Sequence, residues 1–545
     1  MPPRLGTLYS RSEADRLRYA PQIDSSDLWS EAPYLPDQQE ENLPIGPRAG
    51  QPAKSLTAQA ASGFLWTVVQ TLGSKVAGML GQIILARLLL PRAFGLVALS
   101  IIAVSFASVI RQTGIQQILV QRHKHFRRWA NPAFWFEFAF GLATALLLAI
   151  ASPVAALVFH SKTLMGLILV SAVGAPLSPW FVIPTARLLI DMRFRAIAAV
   201  NIVCNFAMTA TSVFLAWRGF GAYSFLIPIP IAGAIRCWWL WRLARPRITL
   251  NLQLRRWKFL IGDSGLMIAT GFLNSVMYQA GYLALGLMYP KSAVGQFFFA
   301  LNLSGQLALL LSQNLGGVLL PALAKLQDHS ARHAAALMRA LRMLAFVSTP
   351  LCLLLAVVAK PLVVVIYSAK WLPAVPMLEV MALTTAISIP ASPALTAIQS
   401  QGRFSLLFRW TALETPIYLA AVVMGAWVGG GLGVAVAWFL FTLVSSPISV
   451  RLALRGTSDW RSIAGIYGGP LASSLIGVSA FRMAFFLWPT LGERNLLWWC
   501  VAALTMALIY PAASRIFSPT EFAQAKTYAA AAVARFRAKP PQSSN

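Results

Sequence analysis

Long apolar runs alternate with short polar ones along most of the chain. Beyond about residue 55, near-uncharged runs of 18 or more residues recur, each long enough to cross a hydrocarbon core as a helix. The pattern predicts about fourteen spanning helices, near residues 63–89, 94–112, 131–156, 164–187, 196–217, 221–242, 259–288, 293–320, 341–367, 374–399, 405–428, 432–453, 462–488 and 495–515. Proline interrupts some of them, as at Pro176, Pro179 and Pro184 in the fourth and Pro390 and Pro393 in the tenth. Spanning helices accept such breaks where neighbouring helices re-satisfy the freed backbone groups. The predicted class is an all-α polytopic membrane protein.

The first span is apolar enough to enter a bilayer, yet Thr67, Thr71, Ser74, Lys75, Gly78 and Gln82 fall on one face at helical spacing. Lys75 sits near the middle of the run. A cation at that depth is costly against lipid, so it is expected to face a bundle interior or a water-filled cavity. A turn at Leu90-Pro91-Arg92-Ala93-Phe94-Gly95 leads into the second span. About 200 residues on the plan returns: Ser264-Gly265 echoes Ser62-Gly63, Met288-Tyr289-Pro290 echoes Leu89-Leu90-Pro91, and Gly295 echoes Gly95. The helix between carries its own stripe of Asn274, Ser275, Tyr278, Gln279 and Tyr282. Repeats of this size are a transporter signature. Six spans separate the two starts, so the repeats run parallel, as two six-helix lobes (56–250 and 251–455) followed by two further spans (456–515) and a tail (516–545).

Charge sets the orientation. The 45 Lys and Arg against 17 Asp and Glu cluster in alternate loops. After the second span come Arg111, Arg122, Lys124, Arg127 and Arg128, and after the sixth Arg242, Arg245, Arg247, Arg255, Arg256 and Lys258, whereas the intervening loops hold few. The positive-inside rule then places both termini in the cytoplasm, and the same clustering accounts for the net charge of +28 without nucleic acid. Segments 111–130 and 325–340 mix basic and apolar residues and read as short interfacial helices. Residues 1–55 hold eight of the seventeen acids and no apolar periodicity, which reads as a disordered tail and not as a signal peptide. Cys204, Cys237, Cys352 and Cys500 lie inside apolar runs without metal-ligand spacing, as packing residues.

Further polar stripes appear at Asn201, Asn205, Thr209 and Ser212 in the fifth span and at Asn302, Gly305, Gln306 and Gln313 in the eighth. With Gln70 and Gln82 of the first span they describe either a cavity rich in amides or hydrogen-bonded glue between helices. Lys75 suits a phosphate-bearing ligand through charge-assisted hydrogen bonds, or a structural pair with Glu137. Arg111 stands at the cytoplasmic mouth, as a headgroup site or an ordinary positive-inside residue. Arg87 reads as a residue that snorkels to the interface. Asp263 is a candidate coupling acid or a helix N-terminal acid favoured by the macrodipole; Glu137 is the other candidate. The five histidines fall in loops, which disfavours a proton relay through them. No phosphate-binding loop, metal-ligand set or catalytic constellation stands out, so an ATP-driven pump or an enzyme is not expected, and neither a cofactor nor a metal.

The run Ile84-Leu85-Ala86-Arg87-Leu88-Leu89-Leu90-Pro91-Arg92-Ala93-Phe94-Gly95, set in two six-span lobes plus two, resembles the polysaccharide transporters of the multidrug/oligosaccharidyl-lipid/polysaccharide exporter superfamily, the Wzx-type flippases. The resemblance covers roughly residues 56–515 and departs from the usual pattern at Leu90, where glycine is common, and near Arg92, where an acid is. It implies a flippase for polyprenyl-pyrophosphate-linked oligosaccharide repeat units in a bacterial inner membrane, working by alternating access for exopolysaccharide, capsule or lipopolysaccharide synthesis. By the same resemblance Lys75 and Arg111 would meet the pyrophosphate. Gln70, Gln82, Asn201, Asn205, Asn274, Tyr278, Gln279, Tyr282, Asn302 and Gln306 would line the sugar path. Besides the lipid bilayer, the polymerase and export machinery become partners to expect. A drug/cation antiporter of the same superfamily and a membrane-embedded polymerase or acyltransferase are the alternatives; the first wants buried carboxylates and the second a large outer loop.

Overall fold

A computed structural model describes residues 56–109, 115–121, 126–246, 248–250, 257, 265–324, 330–455, 459–487 and 496–537. In order, the helices are α1 (Leu56–Leu88), α2 (Pro91–Val109), α3 (Ile115–Gln121), α4 (Phe126–Val158), α5 (Lys162–Gly174), α6 (Ser178–Ile190), α7 (Phe194–Trp217), α8 (Tyr223–Leu226), α9 (Pro228–Ala244), α10 (Gly265–Met288), α11 (Lys291–Ala324), α12 (Ser330–Leu362), α13 (Val375–Ser400), α14 (Phe404–Ala453), α15 (Trp460–Leu487), α16 (Leu496–Phe517) and α17 (Pro519–Arg537). Each of the fourteen predicted stretches is mainly helical over its described residues, and the described residues contain no strand. By length and hydropathy, 9 helical stretches among the described residues suit a membrane crossing.

The helices end where the chain chemistry says they should. Pro91 starts α2 one residue beyond Leu90, where its missing N–H costs nothing and its fixed φ is already helical. The turn is therefore tighter than predicted. Inside α14 the helix breaks at Gly429 and Gly430, and Gly430 takes φ +56, a conformation that side chains resist, so two antiparallel spans join with almost no loop. The expected interfacial helix at 325–340 does not exist as a separate element: residues 325–329 lie outside the described residues, and from Ser330 the helix continues unbroken through Leu362. At 115–121 a separate short helix does form.

The repeat seen in the sequence is visible in the backbone. Leu89 N–H donates to Leu85 O at 2.8 Å and Ala93 N–H to Leu90 O at 3.0 Å; 200 residues on, Tyr289 donates to Leu285 O at 2.8 Å and Ala293 to Pro290 O at 2.9 Å. Farther along, Arg193 Nη1 donates to Leu243 O and Arg403 Nη1 to Leu452 O, each at 3.2 Å. Left-handed residues recur at matching joints, Met192 with Gly402 and Arg245 with Arg455.

The first and second halves of the chain meet where α2 packs on α11 and α10. At the centre of that crossing, a β-carbon on Gly95 would overlap the carbonyl oxygen of Lys291, and one on Gly295 would overlap the carbonyl oxygen of Pro91. The same two positions of the repeat thus touch each other reciprocally, backbone on backbone. The largest core cluster surrounds this point, with Phe94, Leu99, Phe299 and Trp371 almost fully buried.

Candidate functional site

Helix α1 has three distinct faces. One packs on α7: Asn205 Nδ2 donates to Ser74 Oγ at 2.7 Å, and Thr209 Oγ1 to Ala77 O at 3.5 Å. A second, with Leu72, Val76 and Leu80, is exposed and apolar. The third carries Thr71, Lys75, Gly78 and Gln82. A β-carbon added at Gly78 would meet no described atom within 4 Å, so at this point the polar face opens on free space among the described residues. Lys75 is half-buried on it, and among the described residues no hydrogen bond or ion pair engages its ammonium. Gln70 and Gln82 are likewise half-buried.

Glu137 is not the partner of Lys75. It is 5% exposed on α4 and accepts a hydrogen bond from Ser178 Oγ at 3.0 Å. Arg111 and Asp263 lie outside the described residues.

The stripe on α10 splits. Asn274 and Tyr278 are exposed, Tyr278 by 65%, and Asn274 Nδ2 donates back to Thr270 O at 2.9 Å. Gln279 turns instead toward α2, where its Nε2 donates to Ser105 Oγ at 2.8 Å while its Oε1 lies buried without a partner. Tyr282 is buried against Phe297 and Phe298. These two residues are packing, not lining: a stripe about 100° wide is broad enough to be shared between an open face and a neighbouring helix. On α11, Asn302 Nδ2 donates to Phe298 O at 2.9 Å, Gln306 is half-buried, and Gly305 again faces open space.

Asn201 and Asn205 sit one turn apart on α7 and point to different helices. Asn205 clasps α1, whereas the side-chain oxygen of Asn201 accepts from both Nε and Nη2 of Arg236 on α9. Sequence reasoning missed Arg236, because six basic residues follow it within the next two dozen and absorb the charge signal of that loop. Its position was the clue: it lies eight residues before the end of α9, roughly 12 Å inside the helix.

The end of the bundle where α1 passes into α2 is shut. Phe94 meets Phe225 at 4.9 Å and Trp371 at 4.8 Å between ring centroids, and Trp371 stacks on Phe299 at 4.3 Å. Around this plug, Arg87 does not snorkel. Its Nε donates to Ile366 O and its Nη2 to Val365 O, both at 2.7 Å, capping carbonyls of the π-helical turn Val363–Tyr367 that follows α12. Lys370 Nζ donates to Arg87 O at 2.7 Å and the buried Trp371 Nε1 to Ala86 O at 2.9 Å. Lys291 Nζ donates to His160 O at 3.2 Å on the other flank.

The described residues thus combine a polar, cationic face on α1 with an aromatic plug where α1 passes into α2. In fold the chain is similar to the lipid II flippase MurJ in an inward closed conformation, with a TM-score of 0.68 over 83% of this chain and 98% of that one at 14% identity. It is also similar to an inward-facing multidrug resistance MATE family transporter of the MOP superfamily, at a TM-score of 0.56 over 71% and 96% with 12% identity. In sequence it is 27% identical to the succinoglycan biosynthesis transport protein ExoT of Rhizobium meliloti (strain 1021), covering 68% of this chain and 75% of that protein. It is 20% identical to the lipopolysaccharide biosynthesis protein WzxC of Escherichia coli (strain K12), covering 74% and 82%. A family described as polysaccharide biosynthesis protein matches residues 84–376, more than half of the chain. This multi-pass membrane protein therefore belongs to the polysaccharide biosynthesis protein family.

Proposed function

We propose that the protein is a flippase that carries polyprenyl-pyrophosphate-linked oligosaccharide repeat units across a bacterial inner membrane, without catalysing a covalent step. Relatives named for succinoglycan transport and lipopolysaccharide biosynthesis support the polysaccharide setting, and the fold shared with a lipid II flippase supports a lipid-linked cargo. The halves of the chain act as two six-helix lobes around a central hollow. Both termini are cytoplasmic, so the plugged end faces outward and the state is one open toward the inside.

The observation that carries this reading is Lys75. A membrane-embedded cation normally pairs with an acid; this one is half-buried on an open polar face, with no counter-ion among the described residues. An anionic lipid headgroup would supply the missing acceptor. Asn274 and Tyr278 on α10 and Gln306 on α11 offer amides and an aromatic ring for sugars. Arg111, as a first contact at the mouth, is part of the same proposal, as is the supply of repeat units to a polymerase.

The test is deletion followed by analysis of lipid-linked intermediates. Loss of surface polymer with build-up of a complete lipid-linked repeat unit is expected. A truncated repeat unit would point to an enzyme, and unchanged polymer with altered drug sensitivity to a drug antiporter; either result would overturn the proposal.

A further inference from the structure

The first half of the chain holds a pocket that neither the polar face of α1 nor the plug uses. Trp180 on α6 and Trp238 and Trp241 on α9 line about 370 Å³ of open space together with Cys237 and Arg242. Arg242 stands two residues before α9 ends, a rise of about 3 Å, and Trp180 ten residues before α6 ends, about 15 Å. The bond from Arg193 Nη1 to Leu243 O ties those two helix ends together. The pocket therefore runs inward from the helix ends, with its one charge at the mouth and rings along its depth. Trp238 is 57% exposed, a large apolar surface of the kind that sits at a membrane boundary.

Donors are present here and acceptors are not. Arg242 is exposed, and its guanidinium carbon lies 4.5 Å from the Trp238 ring centroid, a contact that fixes it without using its five N–H groups. Neither it nor the three indole N–H groups meets an acceptor among the described residues. Residues 56–250 contain two acids, and both are engaged elsewhere: Glu137 accepts from Ser178 Oγ at 3.0 Å, and Asp191 pairs with Arg187 at 3.9 Å.

The internal repeat shows that the fold does not require this set. Arg242-Leu243-Ala244 returns as Arg451-Leu452-Ala453, again in the last turn of a helix, with one extra residue, Leu454, before the left-handed joint. On that register the second half has Pro447 for Trp238 and Val450 for Trp241, and Arg451 lies over Trp460 of the next helix instead, at 4.6 Å. The arginine is common to both halves; the tryptophan-lined depth below it belongs to the first.

We propose that this pocket binds an anionic phospholipid of the surrounding leaflet, as a resident lipid and not as cargo. Its phosphate meets Arg242 at the mouth, its ester oxygens accept from the indole N–H groups, and the start of an acyl chain lies along the rings. A charged mouth above an aromatic wall favours an amphiphile over a soluble anion. A zwitterionic lipid brings its own ammonium to the mouth and gains less. The wall continues through Phe134, 5.1 Å from Trp180 and 6.0 Å from Trp241, to Trp135, whose Nε1 donates to Thr249 O at 2.7 Å. The lipid thus braces α4, α6 and α9 beside the segment that follows α9. This goes beyond the flippase reading and does not depend on it.

Purified full-length protein, delipidated in detergent, is titrated with dioleoylphosphatidylglycerol or dioleoylphosphatidylethanolamine in mixed micelles, reading lipid retained by native mass spectrometry and the rise in Tm. Wild type is expected to retain phosphatidylglycerol at concentrations where phosphatidylethanolamine is lost, and to gain Tm with it. Arg242→Gln is expected to weaken phosphatidylglycerol about fivefold, while Arg451→Gln, at the twin position without the tryptophans, leaves it nearly unchanged. Equal losses in the two variants would show that the lipid follows net charge and not this pocket, and would overturn the proposal, as would equal retention of both lipids by wild type. Farnesyl diphosphate in excess is expected to leave the bound phospholipid in place; its displacement would make the pocket a cargo site and overturn the assignment. Should Arg242→Gln not yield folded protein, Trp238→Leu keeps the cation and removes the ring beneath it. Weakened retention of phosphatidylglycerol is then expected, and unchanged retention overturns the proposal.

Discussion

Replacing Arg87 with alanine should loosen the plugged end of the bundle. The side chain makes two charge-assisted bonds of 2.7 Å to the carbonyls of Val365 and Ile366, about 280 residues away, and its own carbonyl receives Lys370 Nζ. Hydrogen bonds to a charged group contribute about 1.5–3 kcal/mol each when sheltered. Arg87 is exposed, so screening cuts this, and about 2–4 kcal/mol for the pair is a fair figure. If those bonds exist only in the shut state, their loss shifts the open-to-shut ratio by roughly thirty- to several-hundred-fold. The assay uses Ala300→Cys as a reporter, since Ala300 is fully buried behind the plug, in a background whose native cysteines are replaced by alanine. Labelling by a membrane-impermeant maleimide should quicken by at least tenfold with Arg87→Ala, and by less with Arg87→Lys, which keeps one donor group. Equal labelling rates in folded protein with and without Arg87 would refute the argument, because the latch would then contribute nothing to closure.

Other expectations concern the cation and the close contacts. Lys75→Ala should abolish surface polymer while protein still reaches the membrane, measured by polymer staining beside immunoblots of membrane fractions. Gly95→Leu or Gly295→Leu should each prevent α2 and α11 from crossing, because the overlapping atoms are backbone and cannot move aside; loss of a monodisperse peak on size exclusion checks it. Gly430→Val should lower Tm through a cost of about 1–3 kcal/mol for a branched residue at positive φ, whereas the same change at Gly305, which faces open space, should leave Tm nearly unchanged. Trp371→Phe keeps the stacking on Phe299 but loses the bond to Ala86 O, and should raise Ala300→Cys labelling less than Arg87→Ala does.

Much of the helical plan was legible in the chain because lipid forces long apolar runs, and proline and glycine mark where they turn. The polar face of α1 was legible too, since Thr71, Lys75, Gly78 and Gln82 keep one helical period. What a sequence period does not carry is the direction of the neighbouring helix. Gln279 lies within the same stripe as Tyr278, yet α2 covers one and not the other. Arg87 looked like a snorkelling residue because its acceptors are backbone carbonyls, which no residue pattern marks. Arg236 was hidden by the bases that follow it in the next loop, and only its contact with Asn201 sets it apart from them. The continuity of α12 from Ser330 was lost because basic residues at its start mimic an interfacial segment.

The reciprocal contact of Gly95 with Lys291 and of Gly295 with Pro91 has an ancestral consequence. A patch that mates with its own copy is what a symmetric dimer presents, so a half-length forerunner could pair with itself through this one glycine. Fusion of two such genes keeps the seam while letting the copies diverge. The divergence is plain at the position of Lys75, whose twin 200 residues later is Ser275: one copy carries a charge there and the other a neutral hydroxyl.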